Sequence, residues 1–354
     1  MQGELDSLGQ SPELFPYSLD PRNDTLSLIP LTRIDYDRAS FLDARILTPA
    51  TIRRTLPWQK ASAAIAAAEL RESCHYIFHI GHVGSTLLSR LVGAHPGALA
   101  LREPLILRTF AQAHGNTAAS IGRERWSDRE FEGRLSGCIK LLSRTFAMQQ
   151  RAVVKATSFV SELAERLLSR PAAPRAVLLS VSPESYLATI LGGPNSRQEA
   201  KVLAPDRIRR LHRRISQSAY TLKTFSEGEA VALGWACEMS ALAAAERAAG
   251  KQILRVDFDE FLARPDASLL EVLRHLQIDA NAADVRAILA GPDMQRYSKA
   301  PEYEYDAALR LEVLNSARAL HGAEIARGLT WLADAAATFP PIHEAVTGCA
   351  ESAR

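Results

Sequence analysis

The run Phe78-His-Ile-Gly-His-Val-Gly-Ser-Thr86 constrains this chain more than any other stretch. Ahead of it, His75-Tyr-Ile-Phe-His-Ile80 has the aromatic and β-branched content of a buried strand. Behind it, Thr86 to Val92 sets Leu87, Leu88 and Leu91 on one helical face, until Gly93 and Pro96 stop the helix. A strand that passes through two glycines into a helix suits an anion. Gly81 and Gly84 admit backbone conformations in which successive N–H groups converge. The helix start contributes unpaired amides and the positive end of its dipole, and Ser85 and Thr86 contribute hydroxyls. A plain capped turn has the same local composition, so spacing alone leaves both readings open. A Walker A loop requires Gly-Lys where this chain has Gly84-Ser85, which turns the reading away from a magnesium-dependent ATPase or GTPase.

Further strands are expected at Leu99 to Arg102, Arg151 to Ala156, Arg175 to Val181 and Gln252 to Val256. Helices are expected between them, over 128–150, 206–225 and 229–249. Ser182 reads as an N-cap with Pro183 at the first helical position, and Ser268 as the cap of a helix over 272–276. Strands alternating with helices imply an α/β, three-layer, P-loop-like fold with a mostly parallel sheet flanked by helices. Ligands of such folds sit at the carboxyl ends of the strands, where the 81–86 loop falls. Residues 1–72 read as an N-terminal extension packing on the core, with 1–30 as an irregular arm. Residues 73–340 read as the main domain, and 341–354 as a C-terminal tail.

Composition excludes several classes. A formal charge of +2 over 354 residues gives no global field for nucleic acid, so any anion site must be local. Cys74, Cys138, Cys237 and Cys349 are widely spaced and read as buried thiols of a reducing compartment. The acidic N-terminus does not resemble a secretory signal, and no apolar run approaches the roughly 18 residues that span a bilayer. A cytoplasmic protein without a membrane span is the expectation. His75 and His79 have no carboxylate at matching spacing, so no metal is expected.

Val83-Gly-Ser-Thr-Leu-Leu88 after a strand resembles the 5′-phosphosulfate loop of sulfotransferases, in particular the bacterial and Golgi-type branch. Further segments follow in the same order. Arg102-Glu-Pro104 is similar to the acidic segment after the second strand, and Val153-Val-Lys155 to a strand ending in lysine. Val177 to Thr189 is similar to the segment that holds the cofactor's 3′-phosphate, and Val256 to Pro265 to the family's late strand and helix. Together they cover 74 to about 280. The resemblance implies 3′-phosphoadenosine 5′-phosphosulfate (PAPS) as donor and a small-molecule or peptide hydroxyl or amine as acceptor. Gly81, His82, Val83, Gly84, Ser85, Thr86 and Leu87 would cradle the 5′-phosphosulfate. Thr189, with arginines from 207–214 or Arg296, would hold the 3′-phosphate. Glu103 would take the acceptor proton, Lys155 would neutralise charge on the bridging oxygen, and His82 would take the loop's cationic position. Tyr297, Ser298 and Lys299 would contact phosphate or adenine. The chain departs from the family pattern in having His82 for Arg or Lys, and Val181-Ser-Pro-Glu184 for Arg-Asp-Pro-Arg.

Each of these residues also has a plainer reading. Lys155 can snorkel from a strand end, Glu103 can pair at the surface with Arg102 or Arg108, and the five arginines within 207–214 can form a solvated helix face. Two other functions are open alongside the sulfotransferase. A divergent P-loop kinase or other nucleotide-dependent phosphotransferase would bind magnesium–ATP. A non-catalytic nucleotide- or partner-binding descendant of the fold would account for the replaced 181–184 segment. The sequence is compatible with an oligomer.

Overall fold

The computed structural model describes residues 8, 9, 11–115, 126–296 and 306–352, and all that follows concerns these. Two sheets are present. The larger has five strands, β4 (His75–His79), β5 (Ala98–Arg102), β6 (Arg151–Lys155), β7 (Ala176–Ser180) and β8 (Ile253–Asp257), in the order β5-β6-β4-β7-β8. Every neighbouring pair is parallel. The five expected strands are all there, within a residue or two at each end. They were legible because strands covered on both faces are written as unbroken apolar runs, and β4, β5 and β7 are buried at every position.

Helices flank the sheet. Ser85–Ala94 packs on β5 and β6, and against Pro265–His275. Glu227–Ala249 packs against Ala164–Leu168, Pro183–Gly192, Pro194–Arg214, Ala307–Thr338 and Pro340–Ser352. Trp235, mid-helix among alanines, is fully buried there, and the four cysteines are buried and unbridged. Ser182 caps its helix as expected, accepting from Ser185 N at 3.1 Å. Ser268 caps nothing, because Pro265 already occupies the first turn of a helix that begins at that residue. The helix expected over 206–225 runs instead as Pro194–Arg214, with Pro205 inside it, and that expected over 128–150 ends at Leu142.

Residues 14–30 are not an irregular arm. They form the antiparallel hairpin β1 (Leu14–Asp20) and β2 (Thr25–Pro30), which β3 (Arg54–Pro57) extends to a three-stranded sheet. A register shift between Pro16 and Ser18 breaks the alternation that would have announced β1. This sheet carries the segment between β2 and β3 to the end of β5. The guanidinium of Arg102, itself buried, donates from Nη1 to the carbonyls of Tyr36 (2.7 Å) and Ala39 (2.8 Å). Leu42 N donates to Arg102 O at 2.6 Å. Residues 41–45 are thereby fixed beside the carboxyl ends of the central strands.

β4 lies at the centre of the sheet. After it the chain builds β5 and β6 on one side, then crosses to β7 and β8 on the other. The carboxyl end of β4 is therefore the topological switch point, where an open parallel sheet leaves a crevice for a ligand.

Candidate active site

The loop after β4 is unusual in its backbone. Gly81 (φ 88°), His82 (φ 56°) and Gly84 (φ 73°) are all left-handed, and Gly84 is the N-cap of Ser85–Ala94. Such a succession turns consecutive N–H groups to one side, as in an anion-binding nest. Gly84 is required on a second ground: a β-carbon there would lie 2.0 Å from the Phe258 ring. The buried hydroxyls of Ser85 and Thr86 begin the helix. His79 fixes the loop's entry, its Nδ1 accepting from Gly81 N at 3.0 Å. The other ring nitrogen, Nε2, faces Glu103 Oε1 at 3.9 Å.

One cleft brings together most of the residues singled out from the sequence. It is lined by Gly81, His82, Val83, Gly84, Ser85, Thr86 and Leu87 of the loop, together with Glu103, Lys155, Thr189 and Arg296. Tyr297, Ser298 and Lys299 lie outside the described residues. Phe41, Arg45 and Arg310, which sequence reasoning did not single out, also line it, as does Arg108, named there only as a surface partner for Glu103.

Lys155 does not snorkel and Glu103 is not at the surface. Their side chains are 1% and 9% exposed, and Lys155 Nζ donates to Glu103 Oε1 at 2.5 Å and to Thr86 Oγ1 at 3.1 Å. Burial pushes the Glu103 carboxyl up, but Lys155, His79 and Arg108 together outweigh it and hold it at about 2. Glu103 is also left-handed (φ 55°), a conformation costing a non-glycine residue about 1–3 kcal/mol. Its N–H, donated to Lys155 O at 2.7 Å, helps to hold it there. Arg102 does not pair with it, being spent on the backbone of 36–39.

The carboxylate of Glu103 has two distinct sides. Oε1 faces Lys155 and the loop; Oε2 faces Arg45 Nη2 (3.7 Å) and Arg108 Nη2 (3.6 Å). Arg45 is held by Asp43, through Nε at 2.8 Å and Nη2 at 2.6 Å, and lies over the Phe41 ring.

The far end of the cleft differs from the expectation. The hydroxyl of Thr189 donates to Ser185 O of its own helix at 2.7 Å. Glu184 is bound by both arms of Arg318, at 2.7 and 2.9 Å. The arginines of 207–214 do not line the cleft. Arg207 and Arg210 are turned into the core, onto Glu238 (3.2 and 2.7 Å), and Arg214 pairs with Glu162. The reason is Glu238, which sits buried on an otherwise apolar helix face and must be neutralised where it stands. Two other cations among the described residues, Arg296 and Arg310, do line the cleft. Arg310 donates from Nε (3.1 Å) and Nη2 (2.8 Å) to Asp259 and covers the Phe258 ring. His82, expected in the loop's cationic position, has its Nε2 3.0 Å from Glu199 Oε2.

Among the described residues no helix is long and apolar enough to cross a membrane, and no group of three or more His, Cys, Asp or Glu stands where it could hold a metal ion.

No protein-family model and no curated protein matches the chain. Among solved structures it is similar to a sulfotransferase domain from the curacin biosynthetic pathway, at 13% identity over 68% of this chain and 86% of that one (TM-score 0.38). It is also similar to the sulfotransferase STF9 from Mycobacterium avium, at 11% identity over 73% and 79% (TM-score 0.37). A third is a sulfotransferase from Alicyclobacillus acidocaldarius, at 15% identity over 72% and 94% (TM-score 0.34). All three carry the family name that the sequence motifs resemble. At these scores they assign no role to any residue here, and the chemistry rests on the cleft itself.

Proposed function

We propose that this chain is a sulfotransferase-like enzyme that transfers a sulfuryl group from 3′-phosphoadenosine 5′-phosphosulfate to a hydroxyl or amine. The observation that carries the reading is the bonded series Thr86–Lys155–Glu103, which links a left-handed glycine loop to a buried carboxylate. An anion on the loop and a proton acceptor for the incoming nucleophile are the two parts that such a transfer needs. The cation that a Walker loop carries within itself comes here from the neighbouring strand β6.

The residues present fit the donor in part. The 81–86 amides and the Ser85 and Thr86 hydroxyls suit its 5′-phosphosulfate. Its 3′-phosphate finds no cation over 181–192, where Val181, ahead of the helix, is buried and Glu184, in its first turn, is taken by Arg318; Arg296 and Arg310 would supply the charge instead. When bound, the donor supplies an activated sulfuryl group. Lys155, already bonded to Thr86, would neutralise charge on the bridging oxygen. Glu103 would take the acceptor's proton. Held at about 2, its carboxylate is a weak base while Lys155 remains on it. An anion at the loop competes for Lys155, and a weaker Lys155 contact would strengthen Glu103 as a base toward the range that general-base catalysis requires.

A nucleotide panel by thermal shift tests the reading, since a ligand that binds only the folded state raises its melting temperature. Adenosine 3′,5′-bisphosphate should stabilise the protein more than ADP does, with no need for magnesium. Stabilisation by magnesium–ATP alone would favour the phosphotransferase instead.

A further inference from the structure

We propose that Arg45 and Arg108 form an acceptor subsite, and that the acceptor carries an oxyanion (carboxylate, phosphate or sulfate) close to its nucleophilic group. The proposal deepens the transferase reading above and rests on it for the term acceptor.

Three observations carry it. The first is position. Along the series Thr86, Lys155, Glu103, the carboxylate separates the loop from the two guanidinium groups, because Oε1 faces inward to Lys155 and Oε2 outward to Arg45 and Arg108. A donor on the loop therefore occupies one side of Glu103, and the arginines stand on the other.

The second is unmet hydrogen bonding. Arg108 Nε is buried with no acceptor among the described residues. Its Nη2 stands 3.6 Å from Asp43 Oδ2 and 3.6 Å from Glu103 Oε2, too far for a well-made bond to either. A guanidinium presents a planar fork of donors that matches an oxyanion, and leaving such donors unsatisfied is costly. Arg108 stands at ion-pair distance from two carboxylates without a close hydrogen bond to either, so a ligand oxyanion could complete its hydrogen bonding.

The third is convergence. Arg108 comes from the helix Ile106–Gly115, and Arg45 from the segment that Arg102 pins between β2 and β3. Asp43, buried itself, orients Arg45 through two bonds, and the Phe41 ring backs the guanidinium at 3.2 Å. Around Glu103 as a whole, the cations Lys155, Arg45 and Arg108 stand against two carboxylates, Asp43 and Glu103, a balance that tolerates a further negative charge.

The test is a calorimetric titration of matched probes into the full chain, with and without saturating adenosine 3′,5′-bisphosphate. The probes are 4-hydroxyphenylacetate against 4-hydroxyphenylacetamide, glycolate against glycolamide, and glycerol 3-phosphate against glycerol, so that carboxylate and phosphate are separate arms. The wild type should bind at least one charged probe about tenfold or more tighter than its neutral partner, as charge-assisted bonds of ordinary strength imply. Arg108→Gln should abolish that preference and Arg45→Gln should reduce it, while both leave the bisphosphate affinity within about twofold. Equal binding within every pair, no binding by any probe, or a preference that survives both substitutions would overturn the proposal. Loss of bisphosphate binding with the charge preference intact would instead sink the donor assignment and leave this subsite standing.

Discussion

The buried pair of Glu103 and Lys155 gives the sharpest quantitative expectation. A carboxyl held at about 2 rather than 4.5 favours its charged form in the folded protein by roughly 3 kcal/mol, taking about 1.4 kcal/mol for each pH unit. Breaking a buried ion pair from one side costs about 3–5 kcal/mol, which agrees. Lys155→Met should therefore destabilise the fold by about 3 kcal/mol at pH 7. The loss is capped because burial then drives Glu103 to take up a proton. Glu103→Gln strands the lysine and should cost a similar amount. The double variant should recover much of the loss, giving a coupling of at least about 2 kcal/mol in a double-mutant cycle measured by urea unfolding. The pH dependence has a fixed sign. The folded carboxyl is depressed, so its contribution is complete above pH 4.5 and fades as pH falls from there toward 2. That acid limb should be absent in Lys155→Met. A coupling below about 0.5 kcal/mol, the size seen for exposed pairs, would refute a buried, tightly bonded Glu103–Lys155.

Other substitutions separate loop, core and site. Gly84→Ala places a β-carbon 2.0 Å from the Phe258 ring at a left-handed position, and should cost more than about 1 kcal/mol in urea unfolding. It should also abolish nucleotide-induced stabilisation. Glu238→Gln leaves Arg207 and Arg210 buried without their carboxylate and should destabilise by about 3–5 kcal/mol. Because neither arginine lines the cleft, the affinity of the surviving folded protein for nucleotide should stay unchanged in calorimetry. Arg318→Ala, by contrast, removes a half-exposed partner of Glu184 and should change stability by less than about 1 kcal/mol in the same unfolding assay.

Much of this architecture is readable in the residues, and the parts that are not have physical causes. Parallel strands buried on both faces appear as contiguous apolar runs, and the loop's glycines are needed for its left-handed turns. Lys155 could be picked out because it ends a strand, whereas Glu103, just past β5, stands out only through the family resemblance. The N-terminal sheet was hidden by the irregularity at Pro16 and by strands as short as β3. Arg45, Arg108 and Arg310 come from three separate elements, so only tertiary packing brings them to one cleft. The 207–214 arginines carried a misleading charge signal. A readable clue lay elsewhere: Glu238, an acid amid the apolar residues 231–245, requires a buried cation from a facing helix.

The most direct test of the central claim is calorimetric titration of adenosine 3′,5′-bisphosphate into the wild-type protein, Thr86→Val and Arg310→Met, with adenosine 5′-monophosphate as the comparison ligand. The bisphosphate should bind the wild type more tightly than the monophosphate does. Thr86→Val should weaken both ligands, because it removes a hydroxyl from the loop. Arg310→Met should weaken only the bisphosphate, because that arginine is assigned to the 3′-phosphate. No measurable binding of the bisphosphate, or equal binding of the two nucleotides that neither substitution alters, would contradict the account.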